Sequence, residues 1–157
     1  MNLFATLDFE ASSLNSESWP IEVGAVIGDG KVVVAEYASL IRPRPPWTMN
    51  GWDKKSEAIH KIERALLDSA PVADAVCDQL DAFLAGMSVT FDGGQYDCFW
   101  LERLYAGRPP AFHITPINQV PYSRIADRKK QSRVAHRALA DARWLHAALG
   151  DIALEFS

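Results

Sequence analysis

The chain begins with three apolar segments that each have the residue pattern of a β-strand. They cover residues 3–10, 21–27 and 31–41 and are rich in aliphatic and aromatic side chains. The sequence Gly28-Asp29-Gly30 separates the second segment from the third and is typical of a tight hairpin turn. The sequence therefore predicts three consecutive strands, with the second and third paired antiparallel.

Helices and strands alternate through the rest of the chain. Residues 42–52 are rich in proline and predict a surface loop. Apolar spacing and glycine positions predict four helices and two more strands. The helices cover residues 55–67, 72–85, 96–105 and 138–149, the last of them closed by Gly150, and the strands cover residues 88–91 and 114–120. Three strands followed by this alternation indicate an α/β fold with helices packed on a sheet.

Composition predicts one ordinary domain. The chain has 157 residues, of which 48% are hydrophobic and 23% charged, so residues 1–157 suffice for a single core. The net charge of −4 argues against a general polyanion coat. Cys77 and Cys98 are too few for a disulfide framework or a zinc cluster, which favours a reducing, cytoplasmic compartment. The start lacks a basic leader, and no apolar run reaches the roughly 18 residues of a membrane helix, so we expect no membrane association.

Asp8 and Glu10 form an acidic pair at the end of the first predicted strand. Residues i and i+2 of a strand share a face, so the two carboxylates should project together, opposite Leu7 and Phe9. Two adjacent anions repel, so one carboxyl should have a raised pKa unless a cation lies between them. The alternative is a pair of solvated charges where the strand enters the loop beginning at Ala11.

Asp97 lies where a predicted helix begins above the end of a buried strand. The strand ends at Phe91, and Gly93 and Gly94 turn the chain before the helix. In α/β folds ligands bind at this edge of the sheet. A helix-start acid favoured by the helix dipole is the alternative for Asp97. Asp92 competes for the same role, but an Asx turn before glycine explains it, so the sequence favours Asp97.

His136 and Asp141 are five positions apart at the start of the last predicted helix. Five steps of about 100° place two side chains about 140° apart around a helix, so both cannot converge from one regular helix. We therefore expect His136 to precede the helix and Asp141 to lie in its first turn. His146 and Asp151 repeat the spacing, but Asp151 follows the expected end of the helix, so His146 is interpreted as a packing residue.

Together these side chains match the requirements of a two-metal phosphodiesterase site. Four carboxylates can hold two hard divalent cations, and a histidine can take the proton of an attacking water. The carboxylates are those of Asp8, Glu10, Asp97 and Asp141, and the histidine is His136.

Three motifs resemble those of the DEDDh family of 3′-to-5′ exonucleases, which includes polymerase proofreading subunits, RNase T and oligoribonuclease. The similarity extends in order over residues 5–147, and the motifs cover residues 8–14, 96–101 and 136–142. Residues 20–26 and 58–62 also look like the second strand and the mid-chain His-Gly-Ile segment of that family. The departures are Phe9, Ser13, Lys61 and the pair Asp92-Gly93, none of which is among the four acidic residues or the histidine named above.

The resemblance implies a ribonuclease H-like fold, with a five-stranded mixed sheet that has one antiparallel strand. It implies that two Mg²⁺ or Mn²⁺ ions are bound by Asp8, Glu10, Asp97 and Asp141, and that His136 is the general base. It also implies that the backbone of Ala11 and Ser12 and the side chain of Leu14 meet the terminal nucleotide. The implied activity is 3′-to-5′ exonuclease cleavage of single-stranded DNA or RNA.

One segment of the acidic chain is basic. Seven of the 16 basic residues lie between positions 124 and 143, with only Asp127 and Asp141 against them. The seven are Arg124, Arg128, Lys129, Lys130, Arg133, Arg137 and Arg143. The segment predicts phosphate contacts, chiefly by Arg128, Lys129 and Lys130, and a solvated helix face is the alternative. Trp47 and Trp52 could stack on bases or anchor their proline-rich loop.

Two other functions remain open at this level. One is a non-catalytic module that binds nucleic-acid ends or a protein partner on the same fold. The other is an internally cutting nuclease, which the His-x4-Asp arrangement disfavours. The sequence does not decide between RNA and DNA, or between a monomer and a homodimer.

Overall fold

The computed structural model describes residues 2–92, 95–132 and 135–155, and these form one mixed sheet with helices on both faces. The strands lie in the order β3-β2-β1-β4-β5. Their bounds are β1 Phe4–Ala11, β2 Pro20–Gly28, β3 Val33–Leu40, β4 Ser88–Thr90 and β5 His113–Ile114. The α-helices are α1 Lys54–His60, α2 Ala73–Leu84, α3 Gln95–Tyr105, α4 Tyr122–Lys130 and α5 Ala138–Leu154. Short 3₁₀ helices cover Met49–Gly51, Arg64–Ser69 and Ile117–Gln119.

One strand of the sheet, β2, runs against all the others. It pairs antiparallel with both β1 and β3, whereas β4 pairs parallel with β1 and β5 pairs parallel with β4. The predicted hairpin between β2 and β3 is therefore confirmed. The predicted five-stranded mixed sheet with one antiparallel strand is also confirmed.

The central strand β1 has a different helix layer against each face. Leu7 and Phe9 are buried in the main core with side chains of α2 and α3. On the other face, the Thr6 hydroxyl donates to the carbonyl of Ala142 in α5 at 2.9 Å. Helix α5 lies so close to β2 that a Cβ on Gly24 would collide with the backbone of Leu139. This contact fixes the position of α5 on the sheet.

Two predicted helices end differently in the structure. The helix expected over residues 55–67 ends at His60, because Lys61 adopts a left-handed conformation with φ 59°. The chain then resumes as the 3₁₀ helix Arg64–Ser69. The helix expected to close at Gly150 continues to Leu154. Gly150 does not terminate it but lets α5 pack against the backbone of Gly30, where a side chain would collide.

The segment between residues 114 and 132 differs most from the sequence-based expectation. Instead of a strand over residues 114–120, only His113–Ile114 pairs with β4, and a 3₁₀ helix follows. Helix α4 was not expected from the sequence, because Ile125 is its only fully buried side chain. Within residues 2–92, 95–132 and 135–155, no helix is long and apolar enough to cross a membrane.

Candidate active site

The acidic side chains singled out in the sequence lie together at the carboxyl-terminal end of β1. The carboxylates form two groups of three, and within each group the oxygens that could bind a metal lie within 4.8 Å of one another. One group is Asp8, Glu10 and Asp141, and the other is Asp8, Asp92 and Asp97. Asp8 belongs to both groups and is therefore the central carboxylate of the site.

Each carboxylate is placed by the element that carries it. The alternation of β1 sends Asp8 and Glu10 to the face opposite Leu7 and Phe9, as the sequence predicted. Asp97 is buried in the first turn of α3, also as predicted. The shared location at a strand end and a helix start brings residues that are 89 positions apart, Asp8 and Asp97, into one site.

Glu22 of β2 fixes the start of α5 and thereby the position of Asp141. Its carboxylate accepts from the Ala138 backbone N–H at 2.9 Å and from the Arg137 guanidinium at 2.6 Å. These contacts satisfy a backbone donor that the first turn of a helix leaves open. Asp141 lies in this turn, half-buried, and its Oδ1 accepts from the Ala135 N–H at 3.1 Å. The predicted placement of Asp141 is confirmed.

Burial and mutual repulsion raise the pKa values of these carboxyls. Burial is the main cause for Asp8, whose pKa is well above its ordinary value, and the charge of Asp97 is the next cause. Burial and then the charge of Asp141 raise the pKa of Glu10 to about 8. Burial likewise raises the pKa of Asp141. A site that disfavours its own ionised form in this way gains most from a bound cation.

One buried oxygen of the site has no hydrogen-bond partner among residues 2–92, 95–132 and 135–155. Asp8 Oδ2 is buried, and no residue in the described part of the chain donates a hydrogen bond to it. A buried carboxylate oxygen without a partner is costly when it is ionised, and a bound cation would offset that cost. The two groups of potential ligands that contain Asp8 consist of carboxylates, and carboxylate oxygens are donors that Mg²⁺ and Mn²⁺ prefer. The residues present therefore fit hard divalent cations.

The carboxylates open into a cleft of about 410 Å³. Its polar wall includes Lys129 and His136 besides the acidic residues, and its apolar wall includes Ala11, Leu14 and Ile59. Leu14 is 65% exposed at this cleft and Ile59 is also exposed. A cleft lined by both apolar and charged residues suits a ligand that has a flat apolar part and an anionic part, such as a nucleotide.

His136 lies outside the regular part of α5, as the helical geometry required. Its φ of 53° places it in the left-handed region, just before the helix begins at Ala138. The side chain is exposed and lines the cleft together with Asp141. Asp141 therefore lies on the helix, and His136 lies in the segment that precedes it.

His146 is a packing residue. Its ring is buried and stacks on Phe4 with the ring centroids 4.3 Å apart. Its Nε2 accepts from the Gly30 backbone N–H at 3.2 Å, so the ring supports the hairpin turn. The same spacing of histidine and aspartate thus gives two different roles, because Asp151 lies in the last turns of α5, far along the helix from Asp141.

Asp92 is the main departure from the expected site. The sequence favoured Asp97 over it, but the structure brings both carboxylates to Asp8. Asp92 Oδ2 accepts from Lys129 Nζ at 2.6 Å. The sequence left Asp92 as a competing candidate, because an Asx turn already accounted for an Asp before glycine. The predicted turn at Gly93 and Gly94 lies outside the described residues.

The loop after β1 is only partly available to a ligand. Ser12 is fully buried: its N–H donates to the carbonyl of Trp19 and its Oγ accepts from the Trp19 N–H, both at 2.9 Å. Its carbonyl accepts from the Asp53 N–H at 2.9 Å. This differs from the expected nucleotide contact by Ser12, because its polar atoms already hold the loop. Ala11 and Leu14 line the cleft as expected, and Ser13 joins them.

The basic segment is extensively ion-paired. Arg124 and Arg128 both bind Glu155, at 2.6 and 2.5 Å, and Lys130 binds Asp127 at 3.2 Å. The remaining described pairs are Lys129–Asp92, Arg137–Glu22 and Arg143–Glu36. Arg133 lies outside the described residues. The acidic partners come mainly from distant parts of the chain, so the field of the segment is weaker than the sequence alone indicates.

The tryptophans of the proline-rich loop are anchors. Trp47 and Trp52 pack on the buried Trp19, with ring centroids 5.7 and 5.6 Å away. The cleft instead has aromatic residues that sequence reasoning missed, Tyr96 and Trp100, which stack on each other at 5.6 Å.

His60 is another cleft residue whose role the sequence did not indicate. It is buried, its Nδ1 accepts from the Ile62 N–H at 3.0 Å, and its Nε2 has no partner among the described residues. The resemblance of residues 58–62 to the mid-chain His-Gly-Ile segment was the one feature of the sequence that pointed to His60.

Known structures share this fold. The zinc-bound complex of E. coli exonuclease I with single-stranded DNA superposes with a TM-score of 0.67 at 11% identity, over 98% of this chain and 40% of that chain. Exonuclease X in complex with 5′-overhanging duplex DNA gives a TM-score of 0.64 at 21% identity, over 97% of this chain and 92% of that one. A 3′-exonuclease that recognises a histone mRNA stem-loop superposes with a TM-score of 0.63 at 14% identity, over 98% of this chain and 82% of that chain.

These similarities confirm the ribonuclease H-like fold. This chain spans less than half the length of the exonuclease I chain. No protein-family model and no curated protein sequence matches the chain. At these identities the likeness concerns the fold, and the chemistry of this chain depends on the residues of its own site.

Proposed function

We propose that the protein is a divalent-metal-dependent 3′-to-5′ exonuclease that hydrolyses single-stranded nucleic acid. The observation that carries this proposal is the pair of carboxylate groups that share Asp8 and leave its buried Oδ2 without a partner among the described residues. A crowded acidic site of this kind on an exonuclease fold is suited to ions that bind a phosphodiester.

The proposed metal ligands are Asp8, Glu10, Asp97 and Asp141, with Mg²⁺ or Mn²⁺ as the ions. Bound ions of this type supply charge that activates a water and stabilises the leaving 3′-oxygen. The protein holds the carboxylates at the ends of rigid elements, so little reorganisation is needed.

The proposed general base is His136, which would take the proton of the attacking water. Its position supports this role, because it lines the cleft beside Asp141 and is exposed. A general base typically contributes about 10² to 10⁴ in rate. The carboxylates are committed to the ions, so the imidazole is the group of this wall that remains able to accept a proton.

The proposed substrate contacts are the apolar wall for the terminal base and sugar and the basic segment for phosphates. Leu14 and Ala11 support the first contact because they line the cleft. Lys129 supports the second because it also lines the cleft, and on α4 Arg128 precedes it and Lys130 follows it. Ser12 would position the apolar wall from beneath.

The test is cleavage of matched 5′-labelled RNA and DNA single strands with Mg²⁺ or Mn²⁺, with EDTA, and with Asp8→Asn. We expect a stepwise ladder from the 3′ end that needs the metal and that the variant abolishes. Internal fragments, survival of both strands in Mn²⁺, or full activity in EDTA would refute the proposal. Strand binding without cleavage would favour the non-catalytic module.

A further inference from the structure

The ion pair between Asp92 and Lys129 joins the acidic site to α4. Lys129 Nζ lies 2.6 Å from Asp92 Oδ2. The Asp92 side chain is only 7% exposed, whereas that of Lys129 is 41% exposed and reaches the cleft from the last turn of its helix. The pair is therefore a buried carboxylate held by an ammonium that can swing out to solvent.

Asp92 has the position of a ligand and not merely that of an anchor for the lysine. One of its oxygens lies within 4.8 Å of ligand oxygens of Asp8 and Asp97. An anchor for one lysine does not need two further carboxylates beside it, and their repulsion weakens the fold. The unpaired Asp8 Oδ2 shows that the lysine does not satisfy this group.

We infer that Asp92 is a further metal ligand in the half of the site formed with Asp8 and Asp97, and that Lys129 is its displaceable counter-ion. When an ion binds, the ammonium leaves Asp92 and turns toward the cleft. The inference rests on the metal-binding part of the proposed function and adds two residues to it.

The chemistry of the two cations supports this exchange. An ammonium is a compact point charge on a flexible stem, and it donates at most three hydrogen bonds. A divalent cation bears twice its charge and can be bound by several carboxylate oxygens at once. Three carboxylates at this spacing therefore prefer the divalent ion, and the ammonium is released without unfolding any element.

The exchange gives opposite effects for the two residues. Removing the charge of Asp92 removes a ligand, so the affinity for the ion should fall by about tenfold or more, since ligand charge sets the affinity of such sites. Removing the charge of Lys129 removes the competitor, so the affinity should rise, by about three- to tenfold.

The experiment is a titration of the full chain with Mn²⁺. Calorimetry and the electron paramagnetic resonance signal of free Mn²⁺ measure the binding. The variants are Asp92→Asn, Lys129→Gln and Asp8→Asn. Lys130→Gln is the matched control, because this lysine is on the same helix turn but pairs with Asp127 at the surface. Circular dichroism and urea midpoints check that each variant is folded, and Asp92→Ala replaces Asp92→Asn if the latter is not.

We expect weaker Mn²⁺ binding for Asp92→Asn, tighter binding for Lys129→Gln and no change for Lys130→Gln. Unchanged affinity in the folded Asp92 variant overturns the ligand assignment, and unchanged or weaker binding in Lys129→Gln overturns the counter-ion assignment. These failures are distinct from failure of the proposed function, in which the unaltered protein binds no Mn²⁺ or Asp8→Asn binds it equally well.

Discussion

Replacing Glu10 by Gln should stabilise the metal-free protein, although it removes a proposed metal ligand. The pKa of Glu10 is raised from 4.5 to about 8, first by burial and then by the charge of Asp141. Between these two values the folded protein retains a proton that the unfolded chain releases. The fold is therefore destabilised progressively as the pH rises through this window, with no penalty below pH 4.5 and the full penalty above pH 8.

The size of the effect follows from the same two values. At pH 7.5 the pH lies about 3 units above 4.5, the pKa of Glu10 in the unfolded chain. At 1.36 kcal/mol per unit, this corresponds to a loss of about 4 kcal/mol in the free energy of unfolding. Because Glu10 is partly exposed, water reduces this cost to about 1–2 kcal/mol. A glutamine of the same shape is neutral at every pH, so the variant escapes this penalty.

The assay is urea unfolding of the EDTA-treated protein and its variant at pH 4.5 and pH 8. We expect equal stability at pH 4.5 and a gain of about 1–2 kcal/mol for the variant at pH 8. Glu36→Gln is the control, because the hydrogen bond from Arg143 lowers the pKa of Glu36 and its removal should give no gain. With Mn²⁺ present the order at pH 8 should reverse, since the variant lacks one of the proposed ligands of the ion. A variant that is less stable than the unaltered protein at pH 8 without metal would refute this reasoning.

Four further variants test other parts of the site and the fold. His136→Ala should lower single-turnover cleavage by about 10² or more with substrate binding nearly unchanged, whereas His146→Ala should lower the unfolding midpoint more than the rate. The opposite pattern would remove His136 from the site. Charge reversal of Arg128 and Lys130 should weaken strand binding and reduce its salt slope by about 0.7 for each phosphate that is no longer neutralised, and an unchanged slope would show a solvated face. Gly24→Ala should destabilise the protein by about 1–3 kcal/mol in urea unfolding, because α5 must move off the sheet, and wild-type stability would contradict that packing.

Local rules predicted the positions of the acidic residues. The alternation of β1 was enough to put Asp8 and Glu10 on one face, and helical geometry was enough to separate His136 from the helix that carries Asp141. These relations depend on neighbours along the chain, so the sequence contains them. Their convergence depends on the parallel pairing of β1 with β4, which the motif order indicated through a family resemblance.

Interactions between distant segments were not predictable in this way. Lys129 reaches Asp92 from a helix that begins 30 residues later, and that helix has one fully buried side chain to reveal its amphipathic pattern. Gly150 was interpreted as a helix end because glycine commonly ends helices. In the structure the backbone of Gly30, in the turn between β2 and β3, leaves no room for a side chain at position 150. The burial of Ser12 depends on Trp19, whose backbone binds the N–H and the hydroxyl of Ser12, and the sequence does not show this contact.

The most direct test of the proposed function compares one single-stranded sequence in linear and in circular form. With Mn²⁺, the linear strand labelled at its 3′ end should release the label first, as a mononucleotide, and the strand labelled at its 5′ end should shorten step by step. The covalently closed circle should remain intact, because the proposed cleft acts on a terminal nucleotide. Cleavage of the circle, or release of a 5′ label as the first product, would contradict a 3′-to-5′ exonuclease.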